Sequence, residues 1–126
     1  MHASHSIEVD AEIGFVRYTL AGFFDEASLT SLRTERATML PRLKTRPNQH
    51  VTLCDVSQCS IQSKESLAAL RVMLAQPEWR ARRLAFVVGG ALARMQTRRI
   101  VDDIPNVQWF GDTASAEAWL AEASQP

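Results

Sequence analysis

The fold is decided by residues 51–74, which read VTLCDVSQCSIQSKESLAALRVML. The apolar run at residues 51–54 predicts a short buried strand that ends at Asp55. A polar crossing follows at residues 56–63, and apolar side chains at helical spacing then predict a helix that begins near Lys64. Because ligands of open α/β sheets bind outside the carboxyl ends of the strands, this crossing is the first place to expect a function.

The N-terminal side of this stretch predicts a β-hairpin. Apolar and polar residues alternate at residues 7–10, and β-branched and aromatic residues dominate residues 13–21. We therefore expect an antiparallel pair of strands at one end of the sheet. The six residues before the pair are polar and predict a frayed tail, in which His2 and His5 face solvent.

Strands and helices alternate through the rest of the chain. Asp25 is placed to cap a first helix, which Pro41 is expected to kink or end. Strands are predicted at residues 83–88 and 107–110, with a helix at residues 91–101 between them. The packed face of a final helix is predicted to consist of Ala116, Trp119, Leu120 and Ala123.

The resulting order of elements is ββαβαβαβα, which predicts an α/β fold. Alternation of short apolar strands with helices is typical of parallel strands that are joined by right-handed crossovers. Since the hairpin adds one antiparallel pair, we expect a mixed, mostly parallel five-stranded sheet with four helices. At 126 residues the chain is predicted to form one domain, residues 1–126.

Charge and hydropathy argue against several classes of protein. The 14 basic and 14 acidic residues give a net charge of zero, which does not suit a nucleic-acid-binding protein. No apolar run approaches the roughly 20 residues of a membrane span, so we expect a cytoplasmic protein without membrane insertion. Seven of the twelve arginines lie in residues 71–99, where Glu78 is the one acidic residue. This basic flank is either solvated or a surface for an anion or an acidic partner.

The motifs of catalytic and metal sites are missing. Cys54 and Cys59 lack the further Cys or paired His residues that would complete a metal site. Asp55 follows a strand, as a phosphorylated aspartate of a response regulator does, but the acidic pair and late lysine of that chemistry are not in their required places. We therefore expect no enzymatic activity, no metal and no cofactor.

Two further features, a pair of glycines and the tryptophans, could belong to a binding site. Gly89-Gly90 could present helix N–H groups to an anion, with Arg94 one turn further on, or could form only a tight turn. Trp109 is predicted to pack between the sheet and a helix. Trp79 is the best candidate for an exposed aromatic residue at an interface.

Four segments, in this order, match a known family. They are Leu20-Ala-Gly22-Phe23, Leu53-Cys-Asp55-Val-Ser57, Ala85-Phe-Val-Val88, and Val107-Gln-Trp-Phe110-Gly-Asp112 followed by Ala116-Glu-Ala-Trp119-Leu120. Over residues 6–122 the chain resembles the SpoIIAA-like proteins, small bacterial relatives of the STAS domains of anti-sigma-factor antagonists and sulfate-transporter tails. The resemblance implies a SpoIIAA-like fold and a role in regulation.

The chain departs from this family at its phosphorylation site. STAS antagonists carry a phosphorylatable serine in an Asp-Ser-Ser-Gly turn that opens the second helix, and the matching residues here are Ser63-Lys64-Glu65-Ser66. Glu65 stands at the acceptor position and places a permanent negative charge at the helix N-terminus. Ser63 is expected to cap this helix, and either Ser63 or Ser66 could be a displaced acceptor.

The leading hypothesis is a non-enzymatic regulatory or protein-interaction domain that binds an unidentified protein partner. An edge strand could also pair with a second copy, which leaves a homodimer open. The alternative hypothesis is a protein that binds an apolar or anionic small molecule at the strand ends. The residues expected to contact the partner or ligand are Asp55, Ser57, Ser63, Lys64, Glu65, Ser66, Gly89, Gly90 and Arg94.

Overall fold

A computed structural model describes residues 2–122, and the order of its elements is the order that the sequence predicts. The strands are β1 (Ser4–Asp10), β2 (Phe15–Gly22), β3 (Val51–Cys59), β4 (Arg83–Val87) and β5 (Val107–Phe110). The α-helices are α1 (Glu26–Met39), α2 (Lys64–Leu74), α3 (Ala91–Ile100) and α4 (Thr113–Glu122). Short 3-10 turns at Leu40–Arg42 and Pro77–Trp79 follow α1 and α2. Ala123, predicted above to extend the packed face of the last helix, lies outside the described residues.

The five strands form one sheet in the order β1-β2-β3-β4-β5. β1 and β2 are antiparallel, whereas β2, β3, β4 and β5 are parallel neighbours. The prediction of a mixed, mostly parallel five-stranded sheet is therefore confirmed for residues 2–122. The carboxyl ends of the parallel strands meet at one edge of this sheet, where the β3–α2 and β4–α3 connections begin.

Both faces of the sheet are covered, but unequally. The main core lies between one face and the helices α1, α2 and α3, and alternate strand residues such as Tyr18, Cys54 and Phe86 contribute to it. The second core lies on the other face, where Leu53 and Val87 contact Leu120 of α4. Because successive residues of β3 and β4 point to opposite faces, their apolar runs serve both layers.

β3 is longer than the sequence predicts, because the strand does not end at Asp55. Its second half continues to Cys59 and pairs with the end of β2, so that Gly22 lies opposite Cys59. Pairing with β4 stops at Asp55. The apolar pattern therefore marks only the part of β3 that has neighbours on both sides, and the connection to α2 is limited to residues 60–63.

β1 begins earlier than the sequence predicts, at Ser4, so the prediction of a frayed tail is wrong for residues 4–6. Glu35 of α1 helps to hold the first residues of β1 in place. Its Oε1 accepts a hydrogen bond from the Ile7 backbone N–H at 3.1 Å, and its Oε2 lies 2.7 Å from His5 Nδ1. His5 is therefore half-buried beside a carboxylate, so the prediction that it faces solvent is wrong.

The limits of α1 agree with the sequence. Asp25 caps the helix, since its Oδ1 accepts from the Ser28 N–H at 2.9 Å while Ser28 Oγ accepts from the Asp25 N–H at 2.8 Å. This reciprocal pair satisfies two N–H groups that the first helical turn leaves free. The α-helix ends at Met39, and Pro41 lies in the 3-10 turn that follows, as expected for a residue without a backbone N–H.

The prediction for Trp109 is confirmed, whereas the prediction for Trp79 is not. Trp109 stacks on Phe86 with ring centroids 6.1 Å apart and donates its indole N–H to Thr97 Oγ1 at 2.7 Å, which confirms its place between the sheet and α3. Trp119 of α4 tilts against Phe110. Trp79 is half-buried against the main core, so the prediction of an exposed aromatic residue is wrong. The short turn after α2 folds its ring back onto the protein.

Candidate functional site

A cavity of about 430 Å³ opens at the carboxyl ends of β3 and β4. α2 forms one wall and α3 forms another, while the end of β3 and the β4–α3 turn close its base. Apolar side chains dominate its lining, among them Leu20, Phe24, Val56, Leu67, Leu70 and Ile100. A cavity of this size and composition, placed at strand ends, is the usual form of a small-molecule site in α/β proteins.

Two large apolar side chains stand at the mouth of this cavity. Ile61 of the β3–α2 loop is 61% exposed, and Leu92 in the first turn of α3 is 53% exposed. Both residues line the cavity. Side chains of this size are ordinarily buried, so their pairing over an apolar cavity marks a surface that is suited to binding.

The start of α2 is fixed by two serines. Ser63 caps the helix, since its Oγ accepts from the Ser66 N–H at 3.1 Å, which confirms the capping prediction. Ser66 is buried, and its hydroxyl donates to the Phe24 carbonyl oxygen at 2.5 Å. Ser66 therefore joins α2 to the segment before α1, and its hydroxyl is closed to solvent in this structure.

Lys64 and Glu65 follow the cap and are both exposed. Within residues 2–122, neither side chain has an ion pair shorter than 4.0 Å. The Glu65 carboxylate lies in the first turn of α2, where the helix dipole favours negative charge. Neither residue lines the cavity, but both lie between Gln62 and Leu67, which do, and they add one free charge of each sign to this part of the surface.

Asp55 and Ser57 form a local pair on β3. The Asp55 carboxylate accepts from the Ser57 N–H at 3.0 Å and from the Ser57 hydroxyl at 2.6 Å. Ser57 also lines the cavity, whereas Asp55 does not. This arrangement holds the last part of β3 in place.

Gly89-Gly90 follows β4, and Gly89 lies beside the last part of β3. A Cβ atom on Gly89 would lie 3.2 Å from the Ser57 carbonyl oxygen, so the glycine permits a close approach of the two backbones. Both glycines line the cavity, and Gly90 is the residue before α3. Arg94 is placed elsewhere, because its guanidinium carbon lies 5.9 Å from the centroid of the Trp109 ring and the residue does not line the cavity. The structure thus brings the glycines, but not Arg94, to the cavity.

Gln62 is a residue of this site that the sequence analysis missed. Its Oε1 accepts from the Phe24 N–H at 2.8 Å, and its Nε2 donates to the carbonyl oxygens of Gly22 and Ser60 at 2.9 and 2.6 Å. Its own N–H donates to Gln96 of α3 at 3.3 Å. Gln62 therefore ties the cavity rim to three other segments, although a glutamine in a polar loop carries no sequence signal for this role.

The thiols near the cavity are poor nucleophiles. Burial, with a smaller contribution from the charge of Asp55, raises the pKa of Cys59 to about 11. Burial also raises the pKa of Cys54, which belongs to the main core. Because the thiolate is the reactive form, neither cysteine is activated at neutral pH.

Most of the basic flank is occupied by contacts within the protein. Arg71 binds Asp103 at 2.5 Å, and Arg83 stacks on Trp119 with its guanidinium carbon 4.7 Å from the ring centroid. Arg98 packs on the Trp109 ring beside Arg94. Within residues 2–122, no three His, Cys, Asp or Glu side chains converge as metal ligands would.

No protein-family model and no curated protein sequence matches the chain. Solved structures do match it. An uncharacterized protein of the DUF3478 family from Shewanella loihica PV-4, described as having a SpoIIAA-like fold, superposes with a TM-score of 0.70 at 18% identity, covering 94% of this chain and 93% of its own. An anti-sigma factor antagonist from Mycobacterium paratuberculosis superposes with a TM-score of 0.62 at 11% identity, covering 95% of each chain.

These matches confirm the predicted SpoIIAA-like fold. They extend over nearly the whole of both chains, and one of the matched proteins is an anti-sigma factor antagonist, the class to which the sequence resemblance pointed. At these identities the likeness establishes the fold. None of the helices in the described part of the chain is both long and apolar enough to cross a bilayer.

Proposed function

We propose that this chain is a non-enzymatic regulatory domain that acts by binding a protein partner. The observation that carries the proposal is the mouth surface, which we define as Ile61, Lys64, Glu65 and Leu92. It combines two exposed apolar side chains with two free charges, at the strand ends where α/β folds recognise their ligands. The similarity of the fold to an anti-sigma factor antagonist supports a partner that is itself a protein.

Each part of the mouth surface has a separate role in this proposal. Ile61 and Leu92 would become buried on association, and apolar burial is the main favourable term in most protein–protein contacts. Lys64 and Glu65 would lie at the rim, where charges select the partner and affect the rate of association more than the affinity. Glu65 gives this rim a charge that does not depend on a kinase.

The first test identifies the partner and measures how variants of the mouth surface bind it. The tagged chain is used to recover proteins from a lysate of the source organism, and the affinity of the purified partner is then measured by titration calorimetry. We expect Ile61→Asp to weaken binding by at least about tenfold, because a carboxylate would be buried in an apolar contact. Glu65→Arg is expected to change the association rate and its salt dependence.

The matched control is Ile13→Asp. Ile13 is 66% exposed, which is close to the 61% exposure of Ile61. It lies in the β1–β2 turn, at the end of the sheet opposite to the cavity. This variant should bind the partner with unchanged affinity. Recovery of no specific partner, or equal weakening by the Ile13 and Ile61 variants, would refute the proposal.

A second candidate function is the binding of an apolar small molecule, and the cavity itself favours it. Its volume of about 430 Å³ lies within the range of small-molecule sites, and its walls are mainly aliphatic, with Phe24 as the one aromatic residue among the described lining residues. Of the two kinds of ligand expected from the sequence, the apolar kind fits better, because Arg94 does not line the cavity. Native mass spectrometry of freshly purified protein should detect a ligand that copurifies.

Filling the cavity provides the matching experiment. Ala93 is half-buried and lines the cavity, so we expect Ala93→Phe to place a ring in the empty space. Fluorescence titration with the uncharged probe N-phenyl-1-naphthylamine should then give an affinity at least about tenfold lower than that of the parent chain. Ala118→Phe, at an exposed position of α4, is the control that should not change probe binding. Equal affinities for the Ala93 variant and the parent chain would exclude this function.

A further inference from the structure

A second concave site lies between α1 and α2 and shares no lining residue with the cavity at the strand ends. This helix groove has a volume of about 460 Å³. It is lined by Arg33, Arg36, Ala37, Val72, Gln76 and Trp79, together with core residues at its floor. The groove therefore combines two guanidinium groups with apolar walls.

Arg36 is the unusual residue of the helix groove. It is only 7% exposed, although arginine is almost never buried without a charged partner. Within residues 2–122, no carboxylate oxygen lies within 4.0 Å of its guanidinium group. The guanidinium cannot give up its proton, so it is a buried positive charge without a carboxylate partner in the described part of the chain.

The hydrogen bonds of Arg36 leave part of its donor capacity unused. Nε donates to the Tyr18 hydroxyl at 3.0 Å, Nη2 donates to the Met73 carbonyl oxygen at 2.7 Å, and Nη1 donates to Gln76 Oε1. All three acceptors are neutral. A guanidinium group has five N–H donors, so among the described residues one N–H on each Nη has no acceptor.

The charge of Arg36 affects a neighbouring histidine, and a second arginine lies near it. Burial is the main reason that the pKa of His50 is lowered, and the positive charge of Arg36 lowers it further. Arg33 lies one turn earlier on α1, is exposed, and also lines the groove. Both positive groups therefore favour an anion, and Arg36 retains one N–H on each Nη with which to bind it.

We propose that the helix groove is a binding site for a small organic carboxylate carried on an apolar body. The carboxylate would accept from the two free N–H groups of Arg36, and Arg33 would contribute at the rim. The apolar body would lie against Val72 and Trp79, since both line the groove and Val72 is 67% exposed. A small molecule suits this site better than a flat protein surface, because Arg36 lines the groove and is only 7% exposed.

Benzoate is the probe for this site, and the three tryptophan indole N–H signals in a ¹H–¹⁵N spectrum report where it binds. We expect a saturable shift of the Trp79 signal with a dissociation constant of about 1 mM or below. Trp109 and Trp119 lie at other contacts and should not shift. Benzyl alcohol, which has the ring without the charge, should bind at least about tenfold more weakly.

Three variants at exposed positions test the site without disturbing the core. Val72→Glu supplies a carboxylate from within the chain and should weaken benzoate binding by at least about tenfold. Ala68→Glu adds the same charge at an exposed position of α2 outside the groove and should leave it unchanged. Arg33→Gln should weaken binding a few-fold. The proposal is overturned if Trp79 shows no saturable shift up to about 10 mM benzoate, if benzyl alcohol binds equally well, or if both glutamate variants behave alike.

Discussion

Phe86→Ala is expected to lower the free energy of unfolding by about 3–5 kcal/mol. Phe86 lies on β4, an inner strand between β3 and β5, and is only 1% exposed. Its ring belongs to the main core and stacks on Trp109, with an angle of 15° between the ring planes. Truncation would remove this contact and leave a cavity beneath α3, because the surrounding strands cannot collapse into the space.

Urea denaturation followed by circular dichroism measures this effect. The control is Phe23→Ala, which removes the same atoms from a side chain that is 42% exposed and should cost less than about 1 kcal/mol. Phe86→Leu serves as a milder variant if the alanine protein is largely unfolded, since total stability for a domain of this size is only about 5–15 kcal/mol. Similar losses for the Phe86 and Phe23 alanine variants would contradict the description of the core.

Ser66→Asp is expected to destabilise the protein by about 3 kcal/mol or more. The Ser66 hydroxyl donates to the Phe24 carbonyl oxygen from a buried position, and an aspartate there would bring a carboxylate against that carbonyl without a hydrogen to share. A buried charge without a partner carries a large desolvation cost. The same argument applies to a phosphate, so a phosphoryl group on Ser66 requires the start of α2 to move away from Phe24.

Ser63→Asp is the matched control for this prediction. Ser63 caps α2 through its side-chain oxygen, and aspartate caps helices about as well as serine does. We therefore expect a change in stability below about 0.5 kcal/mol, measured in the same urea titration. Ser66→Ala, which removes only the hydrogen bond, should lie between the two aspartate variants. If Ser63→Asp and Ser66→Asp were equally stable, Ser66 would not be the tie between α2 and Phe24.

The sequence predicts the fold well because its strongest patterns are local. The alternation of strand and helix, the Asp25 cap and the stop near Pro41 each depend on a few neighbouring residues, and the structure agrees with all of them. The end of β3 could not be predicted, because the partner of Cys59 is Gly22, far away in the chain. A strand that has one neighbour and a solvent-facing side does not need the continuous apolar pattern of a central strand.

The candidate site was predicted in position but not in composition. A location at the strand ends follows from the topology, and Gly89-Gly90 lies there. Arg94 could not be placed, because the choice between the cavity and the Trp109 ring depends on how α3 is rotated. The helical spacing of Arg36 with Leu29 and Leu32 predicts its burial, but its hydrogen bonds to Tyr18, Met73 and Gln76 cannot be predicted from the sequence. Such contacts between distant elements are decided only when the helices pack.

The carboxylate of Glu35 has a consequence for self-association. β1 is an edge strand, and an edge strand with free N–H groups is a template on which strands of other molecules can polymerise. Glu35 occupies the Ile7 N–H from the side of α1, so an incoming strand would have to displace a charged acceptor before it could extend the sheet. A helix residue thereby covers one backbone N–H at the free edge of β1 and hinders pairing there, whereas many sheets discourage such pairing with lysine or proline on the strand itself.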